Sequence, residues 1–456
     1  MSAVPLARID RARLRALHER ETTRFVAERP RSGALHAHAL AHLPGGVPMS
    51  WMTKWPGPHP VYVEHANGAH FSCVDGIDHV DLCLGDTGAM CGHSPAATVA
   101  AVRDQVGHGI TAMLPTADAP VVAAELARRF RLPQWQFTLS ATDANRHVIR
   151  YARHVTGRHK VLVMDWCYHG SVDETFATLS PDGAVLPRRG NIGPPVPPSE
   201  TTLVVPFNDL AALERALGTG QVACVLLEPA LTNIGIVLPE PGYHDALRRL
   251  TREHGALLVM DETHTLCAGP GGCTAAWGLD PDVVVVGKTI GGGLPAAAFG
   301  LTQELSDRVQ ASIDLEDVDV GGVGGTLAGN ALSMAAMRAT LTQVLTDAAF
   351  ERMVALAGRW AAGVQGVLDA TSLPWHVTQL GARAEYGFSP HAPSDGAQAA
   401  ASDDFELQQY LHLHALNRGV LLTPFHNMAL MSPATTEQDV DRHTAAFAEC
   451  AAELFP

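Results

Sequence analysis

Between about residues 94 and 330 the chain alternates short, nearly unbroken apolar runs with helix-length polar or amphipathic segments. The runs 136–140, 160–164, 203–206, 222–228, 256–261 and 282–287 are rich in Val and Leu, the composition that a buried, mostly parallel sheet requires. Ahead of this block, residues 9–29 read as an amphipathic surface helix. Residues 61–84 alternate β-type runs with turn signals at Asn67-Gly68 and Asp75-Gly76, which predicts a small antiparallel meander. Beyond Asn330, alanine-rich helices are predicted over 331–345 and 350–370, β-like pieces over 375–388 and 419–431, and a last helix over 437–454. The pattern predicts an α/β protein in which a large sheet domain (76–330) is flanked by a smaller α+β domain assembled from both chain ends (1–75 and 331–456).

With 456 residues the chain exceeds what one small core needs, so more than one packed unit is expected. A formal charge of −15 with no basic stripe argues against nucleic-acid or anionic-membrane partners. The N-terminus alternates charges without an apolar signal core, and a cytoplasmic location is expected by default. The eight cysteines include no CxxC pair and sit mostly among small apolar neighbours, so free buried thiols are expected. His36, His38 and His42 do not share one helical face and have no carboxylate nearby, so no metal site is expected.

Two predicted strands end in reactive side chains. Residues 256–261 finish in Asp261-Glu262, and 282–287 lead into Lys288 and then Gly291-Gly292-Gly293-Leu294-Pro295. This pairing suits pyridoxal 5'-phosphate. An amine bonds the cofactor aldehyde as a Schiff base, and a carboxylate keeps the pyridine nitrogen protonated so that the ring accepts electrons. Ser140, Ala141 and Thr142 stand at a strand-to-helix turn, where free backbone N–H groups at a helix N-terminus suit a phosphate. Taken alone, that turn also reads as an ordinary capped helix.

With these motifs the chain resembles the class-III pyridoxal-phosphate-dependent aminotransferases of fold type I, in particular enzymes related to glutamate-1-semialdehyde 2,1-aminomutase. The resemblance runs from about Tyr62 to Pro433 and is strongest over 256–300. It implies that Lys288 bonds the cofactor and later moves the substrate proton, and that Asp261 pairs with the pyridine nitrogen. Ser140, Ala141 and Thr142 would hold the phosphate, with Ala141 in place of the usual glycine and Asp143 in place of the usual glutamate. Tyr168, in Tyr168-His169-Gly170, would stack on the ring. Glu228 would join the hydrogen-bond network around the ring, although a structural role is the other reading. Thr263 replaces a valine that packs under the ring, and its hydroxyl must find a partner. His264 replaces methionine or glutamine, and either reaches the ring oxygen or lines the pocket. Thr326, in Gly325-Thr326-Leu327-Ala328-Gly329-Asn330, matches a threonine lent by the partner subunit to the phosphate, which implies a homodimer with a shared site.

The substrate side departs from the aminomutase pattern. The segment Pro44-Gly45-Gly46-Val47-Pro48-Met49-Ser50-Trp51-Met52 has methionine where those enzymes carry a carboxylate-binding arginine. Trp51 and Trp55 suggest an apolar wall instead, with a lid or dimer contact as the other reading. Arg383, alternating with small residues, either binds a carboxylate or pairs with an acid such as Glu385. The expected activity is a ping-pong transaminase passing an amino group from an amine or amino acid to a keto acid such as pyruvate or 2-oxoglutarate. An isomerase (aminomutase or racemase) or a phospho-lyase on the same fold is the alternative, since all need Lys288 and Asp261.

Overall fold

The computed structural model describes residues 9–311 and 322–455, which fold into two compact units. Of the described residues, the larger holds 95–311, 322–350 and 393–401; the smaller holds 9–94, 351–392 and 402–455. These limits fall later than the expected 75/76 and 330/331. The strand Asp78–Asp81 pairs with His70–Cys73 on one side and with Val420–Leu421 on the other, and so stays with the smaller unit.

The larger unit is built on seven strands: β1 (Gln134–Thr138), β2 (Lys160–Met164), β3 (Thr202–Val205), β4 (Val222–Leu227), β5 (Leu257–Asp261), β6 (Val283–Val286) and β7 (Ala297–Leu301). Their order in the sheet is β1-β7-β6-β5-β4-β2-β3, and only β7 runs against its neighbours. Every residue of β4, β6 and β7 is buried, as the continuous apolar runs require. The six expected strands are present with their ends moved by up to two residues. β7 is the strand the pattern does not signal. It contains Gly300, where an added Cβ would lie 2.6 Å from the Trp135 indole of β1. A glycine that weakens the strand signal is what lets the tryptophan lie across it.

The helix expected over 331–345 is instead α-helical over Ala331–Ala339 and widens into a π turn at Thr340–Val344. Arg129, buried, donates to the carbonyls of Leu341 (2.5 Å) and Leu345 (2.8 Å), groups the widened turn leaves without helical partners. The Thr340 and Thr98 hydroxyls meet at 2.8 Å, and a Cβ on Gly292 (φ +61) would collide with both side chains. The glycine run after Lys288 therefore packs directly onto this turn.

In the smaller unit Val63–Asn67, His70–Cys73 and Asp78–Asp81 form the expected antiparallel meander, extended by Val420–Leu421. A second sheet joins His376–Leu380, Arg383–Gly387 and Met428–Leu430. The helix Arg11–Glu28, N-capped by Asp10, packs on Phe405–Asn417. Behind it Arg29, fully buried, donates to Asn417 Oδ1 (3.0 Å) and to the Leu416 carbonyl (3.2 Å). All eight cysteines are buried and unbridged. Among the described residues no helix is long and apolar enough to cross a membrane.

Four buried histidines make the smaller unit acid-sensitive. Burial pushes His79, His412 and His414 down to about 4 and His443 to about 3, below the ordinary 6.5. The unfolded chain then binds more protons than the folded one between those values, so stability is held above pH 6.5 and lost as pH falls toward 4. Down to pH 5 the expected loss is on the order of 8 kcal/mol, because each of the four histidines spans about 1.5 pH units there and each unit is worth about 1.4 kcal/mol. Thermal unfolding at pH 7, 6 and 5 checks this; a midpoint that stays constant over that range contradicts it.

Candidate active site

β1, β5 and β6 are mutually parallel, so their carboxyl ends open on one edge of the sheet, the edge where open α/β sheets bind ligands. A cavity of about 260 Å³ lies there, lined by Ser140, Ala141, Thr142, Tyr168, Asp261, Thr263, His264 and Lys288 among others. Eight of the residues singled out in the sequence thus converge on one space.

Lys288 sits just beyond β6 at φ +54, a left-handed conformation that costs a lysine about 1–2 kcal/mol. Its neighbour Gly287 has no room to spare, since a Cβ there would lie 3.2 Å from the Cβ atoms of Ala141 and Ala297. The strand end is thereby pressed against the start of the Ala141–Thr156 helix and the lysine is turned into the cavity. Its Nζ lies 2.8 Å from His264 Nε2.

Asp261 closes β5 and is buried. Its Oδ2 accepts hydrogen bonds from His169 Nδ1 and Asn145 Nδ2, each at 2.9 Å, and its Oδ1 accepts one from the Thr263 N–H at 3.1 Å. Burial alone would raise this carboxyl, but the bonds from His169, Thr263 and Asn145 hold it below the ordinary aspartate value. For His169 the balance is opposite: burial disfavours the imidazolium, while Cys167 and the Asp261 carboxylate favour it, and the pKa is raised. The carboxylate is therefore ionised and oriented before any ligand arrives. Glu262, next in sequence, has different work. It accepts hydrogen bonds from the Thr265 hydroxyl and from the backbone N–H groups of Cys273 (3.1 Å) and Thr274, clamping the loop beyond β5.

The phosphate-type cradle forms where β1 enters the helix. Ser140 is its N-cap, accepting from the Asp143 N–H (3.2 Å) and donating to Asp143 Oδ2 (2.9 Å). Thr142 Oγ1 accepts from the Ser171 N–H at 3.1 Å, and Gly170 (φ +76) approaches so closely that a Cβ there would overlap the same oxygen. That approach brings Tyr168, about 39% exposed, to the cavity wall. The Thr263 hydroxyl is buried and has no protein partner among the described residues. A buried, unmatched hydroxyl, helix-start N–H groups and a pre-ionised carboxylate around one cavity fit a flat, phosphorylated, protonated ring.

Other expected residues lie elsewhere. Glu228 is buried just after β4, accepts a hydrogen bond from the Thr232 hydroxyl and is not part of the cavity lining. Thr326 is exposed and also outside the lining. Trp51 and Arg383 belong to the smaller unit. There Trp51, Met52 and Trp55 line an apolar cavity of about 530 Å³, whereas Arg383 is buried and pairs with Glu385 at 3.2 Å, as one of its two sequence readings has it. Sequence reasoning assigns no role to His169 and Asn145. His169 lies inside the Tyr-His-Gly motif and is open to notice there. Asn145 is a polar residue on a helix face that reads as apolar, and only folding brings it to Asp261.

Residues 52–450 match the family described as aminotransferase class-III. The chain belongs to that family. Its cofactor is pyridoxal 5'-phosphate, and its architecture is that of the fold type I enzymes. Glutamate-1-semialdehyde 2,1-aminomutase from Anaeromyxobacter sp. (strain Fw109-5) is 34% identical over 432 residues, covering 92% of this chain and 98% of the relative. Among solved class-III structures, a glutamate-1-semialdehyde-aminomutase from Pseudomonas aeruginosa PAO1 superposes with a TM-score of 0.96 at 47% identity, covering 98% of this chain and 99% of the other. A lysine-to-alanine variant of that protein has been solved in complex with PMP. An omega-transaminase from Sphaerobacter thermophilus follows at TM-score 0.85 and 28% identity, with 93% and 97% covered. The protein is thus an enzyme of the class-III pyridoxal-phosphate family.

Proposed function

We propose that the protein is an isomerase of the aminomutase type, moving an amino group between neighbouring carbons of one small substrate. The observation that carries this reading is the 47% identity, over 98% of the chain, to the P. aeruginosa aminomutase, in line with the curated aminomutase relative. It revises the transaminase expectation in favour of its alternative.

When bound, pyridoxal phosphate supplies an electron sink for the charge left on the substrate carbon. Asp261, kept ionised by His169 and Asn145, holds the proton on the ring nitrogen. Lys288 carries the cofactor and, once displaced, takes a proton from one substrate carbon and returns it elsewhere. Ser140, Ala141 and Thr142 grip the phosphate, Tyr168 covers one face of the ring, and the Thr263 hydroxyl has its missing partner in the ligand. Thr326 acts from the partner subunit of a homodimer. Its exposure supports this, as does that of its apolar neighbour Leu327, which is 50% exposed.

Transamination is the second reading, favoured by the methionine in place of the carboxylate-binding arginine. One experiment separates the two. Enzyme in its pyridoxamine form is given glutamate-1-semialdehyde with no keto acid and no second amine. An aminomutase releases the isomer with the amino group moved from C2 to C1. If product appears only when a keto acid or amine is added, the aminomutase reading fails and transamination stands.

A further inference from the structure

The Lys288 amine faces an imidazole inside the cavity. His264 Nε2 stands 2.8 Å from Nζ, and both side chains line the same 260 Å³ cavity. His264 begins the turn Thr265–Ala268, which Glu262 clamps through Thr265, Cys273 and Thr274, so the imidazole hangs from a fixed segment. Lys288 is likewise fixed at its backbone, turned to φ +54 against the Ala141 helix start. Two rigid supports facing each other across one hydrogen bond make a positioned pair.

We propose that His264 is a positioning residue for Lys288: it holds the lysine amine whenever that amine is not bonded to the cofactor, and takes up its proton. The inference rests on the reading of Lys288 as the cofactor-bonding lysine. A lysine in water is an ammonium ion, and an ammonium has no electron pair with which to attack an aldehyde or remove a proton from carbon. With its own proton on Nδ1, His264 presents an Nε2 lone pair to Nζ–H. When Lys288 captures the cofactor, one ammonium proton moves from Nζ to Nε2. The freed electron pair on Nζ then forms the bond to the aldehyde carbon. The aldehyde oxygen leaves as water with the two protons remaining on Nζ. Run in reverse, when substrate displaces the lysine, Nε2 steadies the released amine within reach of the substrate carbon. An imidazole can both accept the amine's hydrogen bond and take up its proton, so the chain carries a proton acceptor directly beside the lysine.

The test uses apo-protein and two ligands. Pyridoxal phosphate is added and the protein sampled over time into borohydride, which fixes cofactor to Lys288 once the covalent bond has formed; peptide mass spectrometry reads the extent. Pyridoxamine phosphate, which has no aldehyde, reports whether the cavity itself is intact. His264→Gln and His264→Ala are each expected to slow covalent capture by about ten- to a hundredfold, the lower range for a positioned acid–base group. Their affinity for pyridoxamine phosphate should stay within about threefold of wild type, a change of under about 0.7 kcal/mol. Free imidazole in the buffer should restore capture in His264→Ala and leave His264→Gln unchanged, which a merely structural role would not produce. Capture at the wild-type rate in both variants overturns the proposal. Slow capture with equally weakened pyridoxamine phosphate binding, and no rescue, overturns it too, because His264 is then only part of the wall. If borohydride fixes nothing to Lys288 in the wild type, the cofactor-lysine reading fails instead.

Discussion

Replacing Lys288 with alanine is expected to abolish turnover while leaving a protein that still binds the cofactor. The amine is the one group that both bonds the cofactor and moves the substrate proton, and no other lysine lines the cavity. Its loss removes covalent attachment and proton transfer together, and the second alone is worth about 10²–10⁴-fold. Binding should survive because the groups proposed to hold the phosphate and ring, Ser140, Ala141, Thr142, Tyr168 and Asp261, are untouched. The backbone should hold its shape as well, since alanine tolerates φ +54 no worse than lysine does. Borohydride treatment followed by peptide mapping gives the reading. Wild type should yield cofactor on the Lys288 peptide and the variant on none. Recovery of the label on a different lysine in wild type would end the assignment.

Asp261→Asn should keep the shape and lose about three orders of magnitude in turnover. The carboxylate is presented to the cavity by three donors, His169 Nδ1, Asn145 Nδ2 and the Thr263 N–H. An asparagine keeps one acceptor oxygen for three donors and sets an N–H₂ group against either a donor or the ring N–H. The ring nitrogen then loses its counter-charge, and the imidazolium of His169 loses a partner that raises its pKa. His169 should therefore titrate lower in the variant, which NMR of the imidazole can follow independently of activity. Near-normal turnover would mean that another group protonates the ring. Asn145→Ala, which removes one donor and leaves the charge, should cost far less.

Much of this site was legible because its parts end strands. Asp261 and Lys288 each follow a run whose Val and Leu content already marks it as buried, and the strand Lys160–Met164 and helix Glu437–Leu454 fall where the pattern puts them. What escaped the sequence depends on packing between distant segments. The second carboxylate of the Asp261-Glu262 pair turns away to clamp a loop, which neighbouring residues in sequence cannot reveal. Asn145 joins Asp261 across 116 positions, and His169 across 92. β7 is hidden because its Gly300 is shaped by a tryptophan on another strand. The π turn at Thr340–Val344 follows from a buried arginine that claims its carbonyls, a partner helix periodicity does not register.

The pairing of Asp78–Asp81 with Val420–Leu421 sets a timetable for synthesis. Val80 has its sheet neighbour at Val420, and Arg29 its hydrogen-bond acceptors at Leu416 and Asn417, so the first part of the chain leaves the ribosome long before its partners exist. At about 5–20 residues per second, the wait is on the order of 20–70 s. Within that interval the segment carrying β1 to β7 is complete and can form its sheet. The meander meanwhile has an unpaired edge and Arg29 has no acceptors. This nascent edge, rather than the finished enzyme, is the stretch most exposed to mispairing and the one a chaperone would have most reason to cover.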